Sequence, residues 1–122
     1  MYIYSFEKLD VWNKARLLNT KIYTVSSKFP KQEIYGLTSQ IRRAVVSVSS
    51  NIAEGTSRVS YKDKARFTSI AYSSLMEVLS QLILAVDLGY AENEEYDNIR
   101  PLIEEVGNKL NSLRKSQLLK AT

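Results

Sequence analysis

Arg42 and Arg43, followed by Arg58, Lys62, Lys64 and Arg66, crowd cations into one stretch of the chain, and Lys14 and Arg16 add two more upstream. Guanidinium and ammonium groups at this density attract polyphosphate backbones, through an attraction that falls steeply with salt as counterions are released. These eight residues form the candidate nucleic-acid-binding set. Other chemistry is excluded by what the chain lacks. It has no His and no Cys, so there is no ordinary zinc site, thiolate nucleophile, imidazole base or disulfide framework. No GxxxxGK followed by Ser or Thr, and no GxGxxG, offers a phosphate cradle. Serines are plentiful (Ser39, Ser47, Ser49, Ser50, Ser73 and Ser74) and a Ser–Lys pair can act as a nucleophile, but no nucleophile elbow or oxyanion-forming Gly turn accompanies them. Glu54 and Glu77 offer only a weak carboxylate pair for a divalent cation in a helical core, because the ExxH motifs of di-iron bundles need His. No catalytic residue, metal or cofactor is assigned, and no enzyme activity is expected.

The distribution of charge is more telling than its sum. The 122 residues carry 17 Lys+Arg and 13 Asp+Glu, a net charge of +4. Residues 1–66 hold 12 basic and 5 acidic side chains, residues 67–108 hold 1 and 8, and residues 109–122 hold 4 and none. The chain is therefore dipolar along its length. Either the basic segment meets an anionic polymer, or the acidic segment pairs with it inside a subunit or between subunits and leaves nothing for nucleic acid.

Positioning falls to helices. Four Gly and two Pro are too few turn residues for a many-stranded protein, and the apolar spacing is helical almost throughout. Leu9, Trp12, Ala15, Leu18, Ile22, Val25 and Phe29 form a first stripe, punctuated by Pro30. Ile34, Leu37, Ile41, Val45, Val48 and Ile52 form a second, stopped at Gly55. Ser60 and Asp63 read as an N-cap pair for a third, which carries Phe67, Ile70, Ala71, Leu75, Val78, Leu82 and Val86 before Gly89. The fourth carries Ile99, Ile103, Val106, Leu110 and Leu113; it begins near Pro101 or kinks there. Gly36 and Gly107 fall inside helical patterns and read as close-packing sites. Helices of roughly 20 to 28 residues joined by short turns imply an all-α, antiparallel up-down-up-down four-helix bundle, one domain over residues 1–122. The start, MYIYSFEKLDVW, lacks the basic and apolar regions of a signal peptide, and the uncharged run Val78 to Val86 is far shorter than the ~20 residues of a membrane span. A cytoplasmic setting without a membrane partner is expected.

Placed at ~100° per residue, the second stripe leaves Tyr35, Val46 and Ala53 clustered about 120° to 140° from the core seam. A helix with one buried seam needs no second apolar strip, although scattered exposed apolar residues are normal. With eight Tyr in the chain, the strip reads as a subunit interface. The remaining face holds Ser39, Arg43, Ser47, Ser50 and Glu54, and Arg43 and Glu54 are expected to find partners on other helices.

FEKLDVWNKA, FPKQEIYGLTSQIRRAVVSVSSNIAEGTSR, FTSIAYSSLMEV and DLGY occur in order. Across residues 6–90 this pattern resembles the small bacterial four-helix bundle proteins encoded in intervening sequences of large-subunit ribosomal RNA genes. It also resembles the accessory variability determinant of diversity-generating retroelements. The signature residues are Gln40, Arg42, Arg43, Asn51, Glu54 and Gly55. The resemblance implies homopentameric rings, often with basic surfaces. It implies nucleic acid as a partner, and a reverse transcriptase only where the gene lies in a retroelement. It further implies that Asn51, Glu54 and Gly55 shape the end of the second helix, while Arg42 or Arg43 reaches a phosphate.

Overall fold

Each apolar stripe winds into an α-helix in the computed structural model, which describes residues Met1–Thr122. Helix α1 spans Asp10–Ser26, α2 Leu37–Thr56, α3 Tyr61–Asp87 and α4 Asn93–Lys120, with 3-10 turns at Ser5–Lys8 and Lys31–Glu33. The stripes meet in one core: Ala15, Leu18, Ile22 and Val25 of α1, Ile41, Val45, Val48 and Ile52 of α2, Ala71, Leu75, Val78 and Leu82 of α3, and Ile99, Ile103, Val106 and Leu110 of α4. Burying such a side chain stabilises by ~1.5–3 kcal/mol, so tertiary packing rather than helix propensity holds the bundle.

Helix α2 packs on α3, α3 on α4, and α1 on both α2 and α4, closing a ring of neighbours. Polar contacts fix the antiparallel sense. Along the α1–α4 seam Lys109 reaches Asp10 at 2.8 Å, Lys14 faces Glu105 at 3.7 Å, and Lys28 pairs with Glu95. Between α2 and α3 the Ser47 and Ser74 hydroxyls share a hydrogen bond at 2.8 Å, and between α3 and α4 the buried Thr68 hydroxyl donates to Gln117 at 2.7 Å. One end of the bundle therefore gathers the start of α1, the α2–α3 turn and the C-terminus of α4; the α1–α2 and α3–α4 turns share the other. Helix α3 reaches a mean hydropathy of 1.5 over 18 residues, long and apolar enough to cross a membrane by composition. In this fold its apolar stripe packs against α2 and α4.

Turn chemistry agrees with the sequence at two places. The Ser60 hydroxyl accepts the Asp63 N–H at 3.1 Å and starts α3. Gly89, at φ +77°, ends it, and the N–H groups of Tyr90 and Ala91 fold back to the Ala85 carbonyl at 2.8 and 3.2 Å.

Elsewhere the helices differ from their expected bounds. Helix α1 has 17 residues, fewer than expected, because it stops at Ser26, although Phe29 still fills the core. The second helix starts at Leu37 rather than near Ile34, since the Glu33 carboxylate accepts the Leu37 N–H at 3.0 Å and the Tyr90 hydroxyl at 3.0 Å, locking a separate turn. Ile34 is consequently 57% exposed and not a core residue, Tyr35 is 95% exposed in the turn rather than on α2, and Gly36 precedes the helix instead of packing inside it. Ile70 is also outside the core, at 37% exposure. Pro101 neither starts α4 nor ends it: the helix begins at Asn93 and runs through it. Both Pro101 and Asp97 lie on the exposed side, where water takes the carbonyl that proline leaves without a donor.

Two buried helical glycines now separate. A Cβ on Gly107 would sit 3.4 Å from Leu75 Cδ2 and 3.6 Å from Tyr72, an ordinary contact. A Cβ on Gly55 would sit 3.1 Å from the Cβ of Phe67, which is fixed to the α3 backbone. Gly107→Ala should therefore hold or raise stability by up to ~1 kcal/mol through helix propensity. Gly55→Ala should lower it by ~1–3 kcal/mol through overpacking. Urea unfolding of the two variants checks the opposite signs.

Candidate nucleic-acid interface

The candidate cations divide by what holds them. On α1, Lys14 faces Glu105 at 3.7 Å, and Arg16 lies over the Trp12 ring at 5.5 Å. On α2, Arg42 is tied to α1: its Nε donates to Ser26 Oγ at 2.8 Å, its Nη2 to the Tyr23 carbonyl at 3.3 Å, and its guanidinium stacks 4.6 Å from the Tyr23 ring. Arg42 is thus a strut between helices. Its neighbour Arg43 is exposed and has no ion pair, and neither does Glu54, so the partners expected on other helices are absent within the subunit. Glu54 and Glu77 stand exposed on the outside of α2 and α3, not in the core where the weak metal reading would have placed them.

Arg58, Lys62, Lys64 and Arg66 come together at the α2–α3 turn. Asp63 organises them, accepting Arg58 Nε at 2.8 Å and Arg66 Nε at 3.0 Å on its two oxygens. Both guanidiniums also lie over Phe67, at 4.9 and 4.7 Å from the ring. The hydrogen bond from Arg58 and then that from Arg66 hold the Asp63 carboxyl below its ordinary value, and the same contact raises Arg58. Lys64 donates to the Thr56 carbonyl at 3.0 Å, capping the end of α2. Lys62 is exposed and free of carboxylates.

The antiparallel fold adds basic residues of the fourth helix that lie outside the candidate set. An open groove of ≈ 510 Å³ is lined by Lys62, Asp63, Arg66 and Ser69 on one side and by Arg114 and Leu118 of α4 on the other. Lys115 lines an adjoining groove with Arg114 and Leu118. Lys120 reaches back until its ammonium is 5.5 Å from the Tyr61 ring. Seven basic side chains of the α2–α3 turn and α4 thus stand at this end of the bundle, with Asp63 holding two of them, while Asp10 at the start of α1 is paired with Lys109. Two helix N-termini and two C-termini meet there, so the backbone dipoles largely cancel and side chains set the potential. The signal for Arg114, Lys115 and Lys120 was the uncompensated charge of residues 109–122, readable only once an up-down topology returns that segment to the α2–α3 turn.

The interface candidates Tyr35, Val46 and Ala53 do not form one strip. Val46 is exposed and Ala53 half-buried on α2, while Tyr35 projects from the preceding turn.

With the fold and the charged end in view, the comparisons are direct. The sequence profile of the 23S rRNA-intervening sequence protein family matches residues 7–112. The chain belongs to that family. The match runs past the 6–90 resemblance and takes in most of α4. A crystal structure of a protein of unknown function from the S23 ribosomal protein family of Bacteroides thetaiotaomicron superimposes with a TM-score of 0.80 at 24% identity, covering 86% of this chain and 98% of that one. That likeness is of fold. No curated protein matches the sequence.

Asp63 also gives this charged end a pH signature. Its carboxyl is held below the ordinary 3.8, so its ion pairs stabilise fully above the unfolded value and are lost as pH falls through the lower folded one. Asp63→Asn should lower the Tm modestly at neutral pH, with the two proteins converging well below pH 3.8. Thermal melts across an acid series check this.

Proposed function

We propose that this family member is a non-enzymatic, self-associating protein of the cytoplasm that binds nucleic acid through phosphate contacts at the basic end of its bundle. The observation that carries the reading is the convergence of Lys62, Arg66, Arg114 and Lys115 on adjoining grooves with Asp63 as the one carboxylate lining them. Phosphates there would meet Lys62, Arg114 and Lys115 without a carboxylate partner, beside an Arg66 held by Asp63, while Lys14 and Lys21 of α1 are engaged by Glu105 and Asn98 of α4. Contact is with the backbone rather than the bases of a duplex, since no helix of the bundle offers a recognition face of base-reading side chains. Self-association is supported by apolar side chains on the outer surface of α2 and α3, where Val46, Ile70, Ile83 and Leu84 are exposed. The pentamer implied by the resemblance is the assembly we assign.

A second reading, a scaffold whose charges dock subunits or a partner protein, is favoured by Arg43 and Glu54, exposed on α2 without an ion pair, and by Glu77, exposed on α3 with Gln81 as its hydrogen-bond donor. One experiment separates the two. Joint replacement of Lys62, Arg114, Lys115 and Lys120 by Glu should weaken binding to mixed RNA and DNA at least tenfold and flatten the log–log salt slope by ~0.7–0.9 per lost contact. Lys14→Gln should leave affinity nearly unchanged. Absence of binding by the unaltered protein even at low ionic strength, with the oligomer mass changing on charge reversal, would leave the scaffold reading standing alone.

A further inference from the structure

We infer that the basic end of the bundle selects single-stranded over double-stranded nucleic acid by stacking an unpaired base on Tyr61. The inference rests on the nucleic-acid reading above and deepens it. Tyr61 opens α3 at the α2–α3 turn and is 41% exposed. The ammonium groups of Lys120 and Lys64 stand 5.5 and 5.9 Å from its ring centre, so an aromatic face is set among cations with no other aromatic ring stacked on it. Val59, two residues earlier in the same turn, is 98% exposed and adds apolar surface there, and the exposed Leu118 and Leu119 line the grooves that hold Arg114 and Lys115.

A duplex presents phosphate and sugar outward and keeps its bases stacked on one another, so it would meet the lysines and leave this apolar ground wet. A single strand can turn bases inward onto it while its phosphates remain with the cations. Lys62, Arg114, Lys115 and Lys120 carry no carboxylate partner. Of these, Lys120 lies over the ring, and Lys62, Arg114 and Lys115 line the adjoining grooves between α3 and α4, where phosphates flanking a stacked nucleotide would be met. Arg58 and Arg66, held by Asp63 and Phe67, are the preorganised members of the set. Base stacking on an aromatic side chain tolerates any sequence, because every base has a π-face, and the preference is therefore for strandedness rather than sequence.

The test uses the full chain with a fluorescein-labelled oligouridine and a labelled RNA duplex of equal length, followed by anisotropy at low and moderate salt. Expected are tighter binding of the single strand and a loss of roughly tenfold in its affinity for Tyr61→Ala, with duplex affinity unchanged and Tyr61→Phe close to the unaltered protein. Lys62→Gln, at an exposed position of the α3–α4 groove, should weaken both ligands alike. Equal losses on both RNAs for Tyr61→Ala, or none on either, would overturn the stacking while leaving phosphate binding in place. No binding of either RNA at low salt would overturn the reading beneath it as well. A drop in oligomer mass for Tyr61→Ala by light scattering would overturn the inference by making Tyr61 part of a contact between copies.

Discussion

The apolar seam shared by four helices decides which charges in this chain can meet. Val45, Val48, Leu75, Val78, Val106 and Leu110 can be buried together only if successive helices reverse direction, and the connections between them are too short for anything else. Reversal brings residue 62 beside residue 114 and residue 14 beside residue 105. A sequence that is dipolar from end to end becomes a molecule in which one seam is neutralised and one end is not. The basic residues of α1 fall beside the acidic residues of α4, and those of the α2–α3 turn fall beside the basic end of α4.

Close approach at the α2–α3 turn makes that end a fixed arrangement. Gly55 lets the last turn of α2 lie against Phe67, whose ring then supports Arg58 and Arg66 from one side while Asp63 grips them from the other. The carboxylate organises two guanidiniums at the cost of one charge, and Lys64 joins the same corner by closing the Thr56 carbonyl. What remains without a carboxylate partner are Lys62, Arg114, Lys115 and Lys120 around the rim. This division between a held centre and an unpaired rim is what separates the bundle end from an ordinary solvated surface.

Periodicity made the fold legible. Nearly every residue of the four stripes is buried or packed on the core, and Ser60 and Gly89 mark helix ends for the reasons their side chains imply. Ile34 and Tyr35 misled because the wheel cannot register a side chain that competes for the backbone: Glu33 captures the Leu37 N–H and ends the pattern early. Pro101 misled in the opposite direction, since its lost hydrogen bond lies toward water. Half of the site was legible as well. The α2–α3 cations were visible as a run, but Lys14 and Arg42 could not be told apart from them until Glu105 and Ser26 appeared opposite. Tyr61 carried no signal in the sequence, where it is one of eight tyrosines.

The central claim, that charge is cancelled along the α1–α4 seam and left available at one bundle end, is tested most directly by mapping amide chemical-shift changes while a short oligonucleotide is titrated into the isotopically labelled protein. The account predicts shifts confined to residues 58–66 and 114–122, with the lysines of α1 silent. Shifts running along α1, or spread evenly over every basic residue, would contradict it.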